Sequence, residues 1–141
     1  MASHSYETSA AISAPPGLVW EILTDAAGYT GWDSGVRIEG RLLPAETVKL
    51  HAEVNKSRAF PVKVTQFVPP RRMQLSGGMP LGLFRGVRTY ELNPGVGGGT
   101  EFRMREVYSG PLTPLIWRTI PDLGPSFARF AAGLKARAES T

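Results

Sequence analysis

The chain has 141 residues, 16 basic and 12 acidic side chains and no cysteine, and its formal net charge is +4. The lack of cysteine excludes disulfides, thiolate nucleophiles, zinc ribbons and iron–sulfur clusters, and the two histidines, His4 and His51, do not have the spacing of a metal site. We therefore expect no metal and no cofactor, and the length predicts a single domain over residues 1–141.

The basic charge is spread along the chain and does not form a patch. The sequence pI is about 9.8, yet acidic residues lie between the arginines, and Arg71 and Arg72 are the only adjacent bases. We expect no nucleic-acid binding. No run of about 18 apolar residues is present, and the N-terminus lacks the basic start and apolar stretch of a secretion signal. We expect a soluble cytoplasmic protein, monomeric or homodimeric, without integral membrane association.

The first part of the chain predicts one strand and two short helices. Residues Tyr6–Ser13 alternate weakly and indicate a strand, after which Pro15 and Pro16 preset the first turn of a helix. Asp25 can cap a second, short helix that ends near Trp32. The apolar face of the first helix consists of Leu18, Val19, Ile22 and Leu23.

Beyond Trp32 the apolar period changes from helical to two, which is typical of an antiparallel sheet. The hydrophilic side chains between the apolar ones indicate that one face of this sheet is in water. His51 falls on that face, so we interpret it as a solvated surface residue. Residues 93–99 predict the last hairpin loop. The six predicted strands are Val36–Leu42, Val48–Asn55, Phe60–Val64, Met73–Leu75, Phe84–Leu92 and Thr100–Ser109.

The C-terminal part predicts a long amphipathic helix that Asp122 can cap. The segment Pro111–Pro121 before it holds at most a short helix, because its prolines interrupt the backbone hydrogen bonds. The fold class is therefore α+β. The apolar face of the long helix consists of Leu123, Phe127, Phe130, Ala131, Leu134 and Ala138.

One helix cannot cover the whole apolar face of such a sheet. A helix is about 10 Å wide, whereas seven strands span roughly 30 Å. The sequence therefore predicts a cavity between the sheet and the C-terminal helix.

Several short motifs are distributed over nearly the whole chain. They are Val19-Trp20, Leu23-Thr24-Asp25, Tyr29, Trp32, Gly86–Tyr90, Gly99–Phe102 and Glu106–Gly110. Together they resemble the polyketide cyclase/dehydrase branch of the START-like, or SRPBCC, superfamily. The resemblance implies the helix-grip fold, in which a curved antiparallel seven-stranded sheet wraps around a long C-terminal helix. It also implies functions that range from lipid carriage to aromatase/cyclase chemistry.

The parity of the last hairpin turns two opposite charges toward the interior. If Leu92 faces Phe102, the same register places Arg88 opposite Glu106, and both side chains lie on the apolar face. An unpaired charge costs several kcal/mol in such surroundings, so we expect a salt bridge between Arg88 and Glu106. The same register sets Tyr90 opposite Met104.

Two interpretations of this pair remain open. In the first, Arg88, Glu106 and Tyr90 are catalytic: Arg88 binds a carbonyl or enolate oxygen and Glu106 anchors the ligand or exchanges a proton. In the second, Arg88 and Glu106 form a buried structural ion pair. The pattern alone does not decide between them.

The remaining candidate site residues are apolar or aromatic and are expected to bind the ligand. Trp32 and Trp117, with Tyr29, are candidates for an aromatic mouth, whereas packing in the core is the competing interpretation for all of these residues. Trp20 is interpreted as core. The predicted ligand-binding residues are Trp32, Leu50, Val62, Val64, Met73, Leu75, Met104, Tyr108, Trp117, Phe127, Phe130 and Leu134.

The leading functional hypothesis is cofactor-independent binding of a hydrophobic or aromatic small molecule in an internal pocket. As an enzyme, the resemblance implies cyclisation or dehydration of a polyketide-like substrate. The alternatives are a protein-interaction module, like the chaperone activators of the superfamily, and a lipid carrier without catalysis. The use of arginine rather than lysine, with many glycine, proline and alanine residues, suggests a bacterium with a GC-rich genome.

Overall fold

One antiparallel sheet of seven strands forms most of the fold in the part of the chain that the structure describes. The structure is a computed structural model and describes residues 4–53, 59–119 and 121–141. The strand order is β1-β7-β6-β5-β4-β3-β2, so every neighbour except the β1–β7 pair is consecutive in the chain. The strands are β1 (His4–Ile12), β2 (Val36–Glu39), β3 (Thr47–Ala52), β4 (Phe60–Val68), β5 (Arg72–Gly78), β6 (Arg85–Pro94) and β7 (Thr100–Ser109).

The sheet curls into a half-barrel around the C-terminal helix, which confirms the predicted α+β helix-grip fold. The α-helices are α1 (Pro16–Thr24), α2 (Thr113–Trp117) and α3 (Gly124–Glu139). A 3₁₀ helix, Ala26–Gly31, follows α1 and is the second short helix that the sequence predicts. Short α2 lies inside the proline-bounded segment where only a short helix was expected.

The prolines and Asp25 place the first two helices. The carbonyl of Pro15 accepts hydrogen bonds from the backbone N–H groups of Leu18 and Val19, which starts α1. The Asp25 carboxylate then accepts from the N–H of Gly28 and caps the 3₁₀ helix, as predicted. This arrangement carries the chain directly to Trp32, at the open end of the half-barrel.

Several predicted strands differ in length from those in the structure. Strands β4 and β5 are longer than predicted and extend to Val68 and Gly78. Strand β2 ends at Glu39 and not at Leu42, because Gly40 has φ +118° and turns the chain out of the sheet. Strand β3 is described only to Ala52, and the predicted continuation through Val54 and Asn55 lies outside the described residues.

Helix α3 packs its apolar face into the concave side of the sheet. It begins at Gly124, and the Asp122 carboxylate accepts a hydrogen bond from the Gly124 N–H, 3.0 Å away. Asp122 therefore acts at this end but lies one residue outside the N-cap position, which Leu123 occupies. The buried residues of the helix are Phe127, Phe130, Ala131, Gly133, Leu134 and Ala138.

Polar contacts and one glycine fix the position of α3. The Lys135 ammonium group donates to the Ala11 carbonyl, and the Ser13 N–H donates to Glu139, which ties the helix to the end of β1. At Gly133 a Cβ atom would lie 2.2 Å from the Asp33 carbonyl oxygen. Only glycine permits this close approach, which brings the middle of α3 against the loop that carries Trp32.

Large side chains fill most of the space between the sheet and α3. Trp20, predicted to be core, is buried and packs edge-on against Phe67. The largest fully buried side chains are Tyr29, Tyr90, Phe102, Phe130, Leu23, Met73, Leu92, Met104, Leu134, Val19, Val48 and Val64.

No helix in the described ranges combines the length and the apolar character needed to cross a membrane.

Candidate functional site

A partly buried ion pair lies on the concave face of the last hairpin. Leu92 is paired with Phe102, and Arg88 is paired with Glu106, in the register that the sequence predicts. An Arg88 guanidinium nitrogen (Nη2) lies 3.3 Å from Oε2 of Glu106, and these side chains are 13% and 17% exposed. The predicted salt bridge is therefore present and faces the interior.

Two tyrosines complete what we call the polar cluster, formed by Arg88, Tyr90, Glu106 and Tyr108. The Tyr108 hydroxyl donates a short hydrogen bond to the same Glu106 oxygen that accepts from Arg88. Tyr90 is 1% exposed and lies on β6 two residues after Arg88. The ring of Phe127 covers one face of the Arg88 guanidinium, with its centroid 4.9 Å from Cζ.

Burial and neighbouring charges raise the pKa values of Arg88, Tyr90 and Tyr108 in this cluster. Burial raises the pKa of the Tyr108 phenol, and the Glu106 carboxylate raises it further. Burial also raises the pKa of Tyr90, although the neighbouring Arg88 partly offsets this effect. Burial alone would lower the pKa of Arg88, but Glu106 and both phenols outweigh it and raise the pKa. The guanidinium is therefore charged and both tyrosines are neutral near pH 7.

Arg88 reaches a small internal cavity. Its Nε atom is buried and has no hydrogen-bond partner, and the side chain lines a void of about 40 Å³ beneath α3. Such a volume holds about one or two waters, or a single small functional group of a ligand. Ser126, in the first turn of α3, provides a hydroxyl at the same void.

A larger cleft of about 410 Å³ lies at the open end of the half-barrel. Its volume is within the range typical of small-molecule sites. The cleft and the small void share the lining residues Ser34, Gly35, Val36 and Ala52, so the two spaces are neighbours. Trp32 and Tyr29, predicted for the mouth of a pocket, line this cleft. The structure thus has an open cleft beside Trp32 and a small void beneath α3.

The structure separates the predicted ligand-binding residues into two groups. Leu50, Met104, Phe127 and Phe130 line the small void, and Trp32 lines the cleft. The others do not line either space, because they pack against the core or against the aromatic cluster described next. This second group consists of Val62, Val64, Met73, Leu75, Tyr108, Trp117 and Leu134.

An aromatic cluster closes the other side of the polar cluster. Trp117 stacks on Tyr6 with ring centroids 5.3 Å apart, and it also contacts Tyr108. Phe84 also stacks on Tyr108, with a centroid distance of 5.9 Å. Trp117 therefore does not share a mouth with Trp32, as the sequence analysis expected, because α2 places it against the outer end of β1 and β7.

Three polar residues that line the cleft, Arg129, Glu53 and His51, were missed or misplaced in the predictions from sequence. Arg129 of α3 forms ion pairs with Asp33 and Glu53, and these contacts join the helix to both walls of the cleft. The sequence carries no signal for them, since 76 and 96 positions separate the partners. His51, expected to be solvated, is only 25% exposed and lines the cleft, with Nε2 3.3 Å from a Glu39 oxygen.

The comparison of sequences finds one family for this chain. The family described as polyketide cyclase / dehydrase and lipid transport matches residues 3–139. No similar sequence is found among curated proteins.

Solved structures support the fold at low sequence identity. Protein MLL2253 of Mesorhizobium loti is 16% identical, with 98% of each chain covered and a TM-score of 0.75. The Aha1 dimer of Colwellia psychrerythraea is 20% identical, with 96% of each chain covered and a TM-score of 0.72. DynU16, from the dynemicin biosynthetic locus, is 16% identical over 96% of this chain and 47% of its own, with a TM-score of 0.70. At these identities the likeness establishes the fold.

Proposed function

Because the chain belongs to the polyketide cyclase / dehydrase and lipid transport family, we propose that it binds a hydrophobic or aromatic small molecule without a cofactor. The ligand body lies in the cleft beside Trp32. An oxygen atom of the ligand reaches the small void and accepts a hydrogen bond from Arg88.

The observation that carries this proposal is that Arg88 lines the inner void and that its buried Nε–H group has no hydrogen-bond partner. A buried donor without a partner costs about 1–3 kcal/mol, which a ligand oxygen would recover. A purely structural ion pair does not need an open space beside its cation. The neighbouring cleft supplies the volume for the rest of a ligand.

The polar cluster also has the groups that cyclisation or dehydration requires. Arg88, the residue of the polar cluster that lines the void, stabilises negative charge on a carbonyl oxygen as an enolate forms. Glu106, its ion-pair partner, is the base that we assign to the proton of the adjacent carbon. The Tyr108 hydroxyl, which donates to Glu106, holds that carboxylate in place. Dehydration then needs the proton returned to a leaving hydroxyl group, which departs as water.

A protein-interaction module is the second candidate, and one observation favours it. Leu81 and Leu115 are 95% and 64% exposed, and the loop and helix that carry them are joined by a hydrogen bond from the Leu112 N–H to the Leu83 carbonyl. Exposed apolar side chains of this kind occur at protein contacts and also at membrane-docking sites of carriers. In this case the cleft would be empty in the working protein.

Native mass spectrometry of the purified protein distinguishes these functions. The proposal expects a reproducible small molecule bound to the wild type and lost from Arg88→Ala, while the matched surface variant Arg103→Ala retains it. Arg103 lies on the convex face of the sheet, paired with Glu7. Ligand-free protein that instead forms a defined complex through Leu81 and Leu115 would contradict the proposal and favour the interaction module.

A further inference from the structure

Among the residues that the structure describes, each arginine that lines the cleft or the inner void has a carboxylate partner. Arg37 of the cleft pairs with Glu39. At the cleft, Arg129 pairs with Asp33 and Glu53. At the inner void, Arg88 is the one ionisable residue among the described lining residues, and Glu106 neutralises it. The described arginines that a bound ligand meets are therefore each paired with a carboxylate.

We propose that Glu106 makes the interior selective for ligands with an uncharged oxygen group, such as a ketone, and against carboxylates. This inference rests on the proposed function and names the ligand class of the same site. A neutral carbonyl oxygen accepts from the free Arg88 Nε–H and leaves the ion pair intact. A ligand carboxylate would place a second negative charge beside Glu106 around a single guanidinium.

A second negative charge is energetically unfavourable here because the Arg88–Glu106 pair has little contact with solvent. The side chains of Arg88 and Glu106 are 13% and 17% exposed, so solvent and salt screen their charges far less than they screen the ion pairs at the mouth. An anion that entered would also lose its own hydration. Phe127 covers one face of the guanidinium, so an incoming anion cannot approach the cation from that face.

Glu106, and not Arg88, is thus the residue that decides which charge the site accepts. In Glu106→Gln the guanidinium has no counter-ion, while the amide keeps nearly the same size and can still accept the Tyr108 hydrogen bond. This variant should gain carboxylate ligands. In the double variant Arg88→Gln/Glu106→Gln the interior is neutral again, so the gain should disappear.

The test uses two probes with the same bicyclic ring, neutral 2-acetylnaphthalene and anionic 2-naphthoate, in isothermal titration calorimetry at pH 7. The wild type should bind the ketone at least about tenfold more tightly than the carboxylate. Glu106→Gln should reverse this order, and Arg88→Gln/Glu106→Gln should bind the carboxylate no better than the wild type does. Glu101→Gln, an exposed change on the convex side of the same strand, should keep the wild-type ratio.

The outcomes separate the inference from the proposed function. Equal or tighter binding of 2-naphthoate by the wild type overturns the charge selectivity, although it leaves the ligand site in place. Binding of neither probe by the wild type refutes the ligand site and the selectivity together. The wild-type comparison needs no variant, so it decides the question even if Glu106→Gln does not fold. Where that variant folds, an unchanged ratio also refutes the inference.

Discussion

Removing one partner of the Arg88–Glu106 pair should destabilise the fold much more than removing both. In Arg88→Met the Glu106 carboxylate remains buried without its cation, and breaking a buried pair in this way typically costs about 3–5 kcal/mol. The pair is 13% and 17% exposed, so some solvent reaches it, and we expect about 2–4 kcal/mol. Because apolar replacements are often neutral, the double variant Arg88→Met/Glu106→Leu should lose less than either single one.

Urea denaturation followed by circular dichroism at pH 7 measures these changes in the free energy of unfolding. The matched control is Arg103→Met, which removes a cation from an ion pair with Glu7 whose side chains are 48% and 45% exposed. That change should cost less than about 1 kcal/mol. The reasoning is refuted if Arg88→Met costs no more than the control, or if the two single changes at the buried pair are simply additive in the double variant.

Two further predictions concern packing and ionisation. Gly133→Ala should lower stability by about 1–3 kcal/mol in thermal denaturation, since its Cβ would clash with the Asp33 carbonyl, whereas Gly31→Ala, with open space around it, should cost less than about 1 kcal/mol. Because burial and Glu106 raise the Tyr108 pKa in the folded state, its contribution to stability is complete below the usual tyrosine pKa of about 10 and is lost as the pH rises further. Between pH 9 and 11 the wild type should therefore lose more stability than Tyr108→Phe; an equal loss would contradict the assigned pKa direction.

The register of the last hairpin and the order of the strands and helices could be predicted from the sequence, because each depends on one regular pattern of apolar residues. Two strands joined by a short loop have few possible registers, and the pairing of Leu92 with Phe102 forces Arg88 and Glu106 onto the same concave face. The order of strands and helices follows equally from the change of period after Trp32. These features depend on neighbours in the chain, and local alternation encodes them.

The shape of the site depends on packing between distant segments, which no local pattern contains. Whether Val64 or Leu50 lines a void is decided by how α3 rests on the sheet, and this in turn depends on the contact of Gly133 with Asp33. The alternation of apolar and polar residues along β3 placed His51 on the face opposite Leu50, and this is its face in the strand. It could not anticipate that the side chain would lie beside Glu39 and form part of the cleft.

The Nε–H group of Arg88 offers the most direct test of the account, because NMR observes that atom itself. In a ¹⁵N–¹H spectrum the Arg88 signal is identified by its absence in Arg88→Lys, and 2-acetylnaphthalene is then added. We expect a saturable shift of the Arg88 signal, with the surface signal of Arg103 unchanged. A probe that binds to saturation while the Arg88 signal stays in place would contradict the account.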